Sequence, residues 1–252
     1  MNKKYYLCKK INNNINILEI MKKITSLFVA LMATACAFAQ PEAGTFSITP
    51  KVGINVANVT NSAYDQPYKF TVSDYNITAE GKESIGFVAG AEAGYQVSKA
   101  FAVTAGLLYS QQGSKRSGYI HSEDVSIDDK SKLALSYLNI PILANVYLFK
   151  GFALKAGIQP GILLSAKNKI DVTASGIAID SDAHAERDVK DNCNSFDFSI
   201  PVGISYEFYN VIIDARYNFG LTNITKDSKL EEGEKNGKNG VFQLTVGYKI
   251  NL

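Results

Sequence analysis

From Gln40 onward the chain repeats one pattern. Stretches of roughly ten residues alternate apolar side chains with small or polar ones, the period-two signature of a β-strand. The last stretch is the clearest. Phe242, Leu244, Val246, Tyr248, Ile250 and Leu252 share one face, and Gln243, Thr245, Gly247, Lys249 and Asn251 share the other. Seven earlier stretches behave alike, with apolar faces carrying Phe46–Val56, Ile85–Tyr95, Phe101–Tyr109, Leu138–Leu148, Phe152–Leu164, Phe196–Phe208 and Val211–Phe219. The pattern predicts eight antiparallel strands.

Their connections alternate in length. Short turns are expected near Ser98-Lys99, Lys150-Gly151 and Tyr209-Asn210. Long polar loops are expected over residues 60–83, 113–131, 166–194 and 222–239. That alternation, with both termini at the short-turn end, is the layout of an up-and-down transmembrane β-barrel.

The second face decides between a membrane barrel and a soluble one. A water-facing surface should be rich in Lys and Glu. This face is crowded instead with Ser, Thr, Asn and glycines, including Gly86, Gly90, Gly94, Gly106, Gly157, Gly161, Gly203 and Gly247. A narrow lumen must be filled by small side chains. The apolar faces then meet lipid. Aromatics stand where interfacial belts belong: Tyr95, Phe101, Phe149, Phe152, Phe208 and Tyr209 by the short turns, and Tyr109, Phe196, Phe219 and Phe242 toward the loops. The same residues also have high β-propensity. Pro50, Pro141, Pro160 and Pro201 lie inside strands, where each removes a ladder hydrogen bond, so bulges or irregular pairing are expected there.

The lumen face carries nearly balanced charge: Lys51, Lys155, Arg216 and Lys249 against Glu92, Asp197, Glu207 and Asp214. Unpaired charge is costly in a narrow interior, so one expectation is a lumen ion-pair network. The other is that several of these groups sit at barrel ends in water.

The N-terminus changes the charge picture. Met21-Lys22-Lys23, the apolar run Ile24–Ala35 and Ala37-Phe38-Ala39 before Gln40 form a signal-peptide pattern, too short for a membrane-spanning helix. Residues 21–39 are therefore expected to be a cleaved leader, 1–20 a misassigned extension before the true start at Met21, and 40–252 the barrel domain. Residues 1–39 hold six Lys and one Glu, a charge of +5, so the formal +2 of the whole chain becomes −3 for residues 40–252. No basic footprint for nucleic acid remains. Cys8 and Cys36 fall in the removed part, leaving Cys193 alone and no intrachain disulfide. Cys36 as a lipidation site lacks the expected large aliphatic residue three places earlier, where Ala33 stands.

Several segments resemble the PorT-like outer-membrane β-barrel proteins. They include Lys51-Val52-Gly53-Ile54-Asn55, Gly86-Phe87-Val88-Ala89-Gly90, Leu107 to Gly113, Tyr137 to Leu143, Ala156 to Gly161 and Arg216 to Ile224. The resemblance covers nearly all of residues 40–252. It implies an outer-membrane barrel inserted by the barrel-assembly machinery and surrounded by outer-membrane lipid, and it makes the prolines family features. It implies no single activity; a role accessory to protein secretion is one possibility that it offers.

Four functions are expected to compete: a non-enzymatic barrel whose loops bind an extracellular ligand or support the envelope, a narrow pore, a secretion accessory, and an enzyme. An eight-stranded barrel is about filled by its own side chains, which disfavours passage of large solutes. His121 near Glu123 and Asp124, and His184 near Asp182, Glu186 and Asp188, are the two histidines, and no nucleophile geometry accompanies them. No catalytic residue, cofactor or metal ligand set is assigned, and a monomer is expected.

Overall fold

The computed structural model describes residues 42–60, 68–72, 75–121, 125–176, 179–229 and 236–252. The leader and extension assigned to residues 1–39 lie outside them, as do Glu123 and Asp124.

Twelve strands follow in order: β1 (Phe46–Thr60), β2 (Tyr68–Val72), β3 (Tyr75–Ser98), β4 (Phe101–His121), β5 (Val125–Asn139), β6 (Ile142–Phe149), β7 (Phe152–Gly176), β8 (Ile179–Asp188), β9 (Phe196–Phe208), β10 (Val211–Gly220), β11 (Lys238–Tyr248) and β12 (Ile250–Asn251). β5 and β6 are two halves of one wall strand, as are β11 and β12. Each wall strand pairs antiparallel with its chain neighbour, and β1 pairs on its two sides with β3 and β11. Ile54, for instance, stands between Phe87 and Leu244. The eight wall strands therefore close into a ring with no free edge.

The predicted faces hold throughout. Val52, Ile85, Phe87, Leu107, Ile162, Val202, Ile213 and Val246 point outward and are exposed, Ile85 to 65%. An apolar surface that continues around every wall strand suits lipid and not water. Ser47, Thr49, Lys51, Asn55, Glu92, Asn145, Gln159, Ser199, Asn218, Gln243 and Thr245 point inward and are buried. Aromatic pairs mark the belts: Phe46–Tyr95 at 4.7 Å and stacked Phe149–Phe152 at 4.8 Å near the short-turn end, and Phe87–Tyr109 at 5.3 Å and Tyr217–Phe219 at 4.5 Å toward the other. The turns are two residues long, and positive φ at Gly151 (75°) and Tyr209 (54°) reverses the chain in two of them.

The prolines interrupt pairing without shifting it. The β1 ladder stops opposite β11 at Lys51–Gly247 and resumes opposite β12 at Ile48–Ile250, skipping Pro50 in the same register. The β5/β6–β7 ladder skips Pro141 and Pro160 between Asn139–Gly161 and Ile142–Ile158, and the β7–β9 ladder skips Pro201. Irregular pairing thus falls where proline lacks its N–H, but the register shifts lie elsewhere, between Glu83 and Val88, Gln96 and Ser98, Ser136 and Tyr137, and Tyr147 and Phe149.

The long loops need correction. Three of the four stretches expected as loops are largely strand: β3, β4 and β7 run for 24, 21 and 25 residues, and β2 and β8 add to their sheet. A tilted strand crosses a bilayer in about 9–11 residues, so these strands continue well beyond it as antiparallel hairpins. Both faces of a hairpin outside lipid meet water, so the apolar alternation fades while the hydrogen-bond ladder continues. The fourth, over residues 222–239, contains a short 3-10 turn at Asp227–Lys229; residues 230–235 lie outside the described set.

Candidate functional sites in the lumen and beyond the membrane

Alternation aims every second side chain of β1, β3, β7 and β10 into the lumen, and five of the eight charges foreseen there meet in one cluster. Lys51 Nζ donates to Glu92 Oε2 at 2.7 Å and lies 3.7 Å from Asp214 Oδ2. Lys155 Nζ donates to Asp214 Oδ2 and lies 3.9 Å from Glu92. Arg216 binds both carboxylates, through Nη2 to Glu92 Oε1 at 2.7 Å and through Nε to Asp214 Oδ1 at 3.1 Å. All five side chains are buried, Arg216 to 1% exposure. Three cations and two carboxylates drawn from four strands fasten opposite walls of the ring to one another.

Glycine makes the room. Gly203 of β9 stands in register with both Lys155 and Arg216, and a Cβ there would lie 2.6 Å from Arg216 Cβ. Gly247 and Gly90 flank Lys51 on its two sides, and Gly106 faces Glu92. Each long charged chain thus crosses the lumen over a neighbouring strand that has no side chain.

The other three charges are elsewhere. Lys249 and Glu207 form a separate pair at 3.0 Å nearer the short turns. Between that pair and the cluster lies a small cavity of about 40 Å³, lined by Thr49, Asn145, Tyr147 and the charges themselves. Asp197 is the correction to the expected network. It has no cation within ion-pair distance among the described residues, and it accepts from Thr222 Oγ1 at 2.9 Å and Asn239 Nδ2 at 3.2 Å. It stands at the start of β9, well along the strand from Gly203, which is the β9 residue in register with Lys155 and Arg216, and neutral donors satisfy it.

An apolar plug was missed by sequence. Val59, Leu135, Tyr137, Leu163, Ala166, Cys193 and Ile224 pack as one buried cluster toward the long-hairpin end. The chain around Cys193 and Thr225 forms a bridge there, with Asn194 N donating to Ile224 O at 2.7 Å. The signal existed: Leu135 and Tyr137 occupy the face opposite Leu138, where a lumen lined only by polar groups would not place them. Apolar plug and charge cluster interrupt the lumen in turn.

Beyond the bilayer, β2, β3, β4, β5, β7 and β8 form one continuous sheet. It is strongly charged. Glu186 of β8 accepts from Lys167 at 2.6 Å and lies 2.9 Å from Lys169, and these two lysines hold its carboxyl down at about 2. His184 Nδ1 lies 2.7 Å from Asp171 Oδ1, a carboxylate across the hairpin and not one of its sequence neighbours; both side chains are exposed.

The chain is similar to several solved structures. The crystal structure of Ail, the attachment invasion locus protein of Yersinia pestis, is 14% identical, covering 82% of this chain and 99% of that one at a TM-score of 0.37. Neisserial surface protein A is 16% identical over 81% of this chain and 97% of its own, at 0.34. OprG from Pseudomonas aeruginosa is 12% identical over 83% and 97%, at 0.32. No curated protein matches the chain in sequence. Residues 38–226 match the family model described as outer membrane protein beta-barrel domain, and with most of its length so matched and a closed eight-stranded ring bearing a lipid-facing belt, the chain belongs to that family and is an outer-membrane protein.

Proposed function

We propose that this protein is a non-enzymatic surface barrel, anchored by a sealed transmembrane ring and presenting its long hairpin sheet outside the cell for contact with ligands or the neighbouring envelope. The observation that carries this reading is the contrast between the two ends. The short-turn end stops after two-residue turns, whereas β3, β4, β5 and β7 continue together beyond the membrane as a rigid charged sheet. Short turns face the periplasm and long connections face outward in barrels of this kind. Binding surfaces are carried on segments held by a rigid scaffold. The narrow-pore alternative needs a continuous water path, and buried Arg216, Glu92 and Asp214 stand across it, with Leu135 and Leu163 beyond. The secretion role rests on family resemblance, and no residue contact described above favours it.

Single cysteines test the display. In a Cys193→Ala background, Lys130→Cys on β5 should react with a membrane-impermeant maleimide on intact cells, and Lys99→Cys in a short turn only after permeabilisation. The reverse pattern would overturn the proposal.

A further inference from the structure

The outer face of the hairpin sheet carries a row of like charges in register. Lys82 of β3 stands opposite Lys115 of β4, Lys115 opposite Lys132 of β5, and Lys132 opposite Lys169 of β7. Glu186 of β8 closes the row beside Lys169. Adjacent strands are about 4.8 Å apart, and like charges directly opposite destabilise a sheet. Glu186 compensates Lys167 and Lys169. Lys82, Lys115 and Lys132 have no carboxylate within ion-pair distance among the described residues. Such a row calls for an anion from outside the chain.

Its position identifies the anion. Along β4 the same face bears exposed Leu107, then Tyr109, then Lys115; along β5 it bears Leu138, then Lys132. Lys82 precedes exposed Ile85 by three residues on β3, and Lys167 follows exposed Leu164 by three on β7. A groove of about 450 Å³ joins the two zones, with Ile85, Tyr109 and Leu164 on one side and Lys132, Lys167 and Lys169 on the other. Tyr109 Oη donates to Ser136 Oγ at 3.0 Å on the border. A free anion has no use for the apolar side. A lipid uses both, its chain against the belt and its headgroup among ammonium groups just above.

We propose that this groove binds a phosphorylated lipid of the outer leaflet, with phosphate oxygens bridging Lys132 and Lys169 in the groove and Lys115, which stands in register beside Lys132 at its edge, and an acyl chain along Ile85, Tyr109 and Leu164. The leaflet, though not the chemistry, rests on the orientation proposed above.

The test is native mass spectrometry of the detergent-purified protein with diphosphorylated lipid A, with the same lipid stripped of phosphate, and with inorganic pyrophosphate. The Lys115→Gln/Lys132→Gln/Lys169→Gln variant should retain the phosphorylated lipid at least about tenfold less than the wild type. The corresponding Lys→Arg triple variant and Lys99→Gln should retain it fully, which separates lost recognition from lost folding. Equal retention by the Gln variant, equal binding of the stripped lipid, or pyrophosphate binding as tightly as the lipid would each overturn the proposal. Because the readout uses purified protein, it is independent of the cell-labelling result, which decides orientation alone.

Discussion

Replacing Glu92 by Gln tests whether the lumen cluster holds the barrel together. The side chain keeps its volume, so little cavity forms, and the change is one of charge. Glu92 meets Lys51 and Arg216, each at 2.7 Å, and Lys155 at 3.9 Å. Without its charge, the cluster goes from three cations and two carboxylates to three cations and one, so the formal charge rises from +1 to +2. Asp214 is then left to serve Lys51, Lys155 and Arg216 alone. Removing one partner from a buried pair costs about 3–5 kcal/mol, more than two powers of ten in the folding equilibrium. The assay is urea unfolding in phospholipid vesicles, followed by heat-modifiable gel migration and circular dichroism, because the chain has no Trp to report by fluorescence. A second substitution sharpens the test. Lys51→Met added to Glu92→Gln returns the cluster to +1 and should recover at least half of the loss, a coupling that a double-mutant cycle isolates. A Glu92→Gln loss below about 1 kcal/mol, or no recovery in the double variant, would place these charges among solvated groups and refute the reasoning.

Other consequences can be checked alongside. Val246→Arg puts a guanidinium into lipid from a position 48% exposed and should cost about 2–4 kcal/mol in vesicle refolding if it lies near the midplane. Thr245→Arg, buried and in register with Asp214, should instead crowd Arg216 and block insertion; equal tolerance of the two would contradict the assigned faces. Gly203→Val drives a side chain against Arg216 and should cost about 1–3 kcal/mol by the same unfolding assay, where a neutral result would deny Gly203 its spacing role. The Glu186 carboxyl should titrate near 2 by NMR, below its ordinary 4.5. With its value depressed by folding, its contribution to β7–β8 is complete above the ordinary value and disappears as the pH falls through about 2. Lys167→Gln with Lys169→Gln should return the titration to the usual range, and an unchanged midpoint would remove the lysines as its cause.

Alternation alone revealed the wall of this barrel, because lipid outside and a tight lumen inside force opposite demands on successive side chains. Each outward face from Phe46 to Leu252 was legible for that reason, and so was the short-turn end. Strand ends were not legible at the other pole. Once β3, β4, β5 and β7 leave the bilayer, Lys115, Lys130 and Lys169 can alternate with other polar residues at no cost, so strand and loop look the same in sequence. The lumen charges could be named but not grouped. Which of them meet depends on strand stagger, which brought Lys51, Glu92, Lys155, Asp214 and Arg216 to one level, left Lys249 with Glu207, and set Asp197 among neutral donors. The glycines held the missing clue, since Gly203, Gly247, Gly90 and Gly106 lie beside those charges in register. The apolar plug around Leu135 and Leu163 escaped because a lumen was expected to be polar throughout.

Conductance across a planar bilayer tests most directly the claim that this is a sealed anchor for an outer surface. The wild-type protein, inserted and verified by heat-modifiable migration, should give no steady current, because the five-charge cluster and the apolar plug close the lumen in series. A stable, reproducible conductance from the folded protein would contradict that claim and make the lumen, not the hairpin sheet, the seat of function.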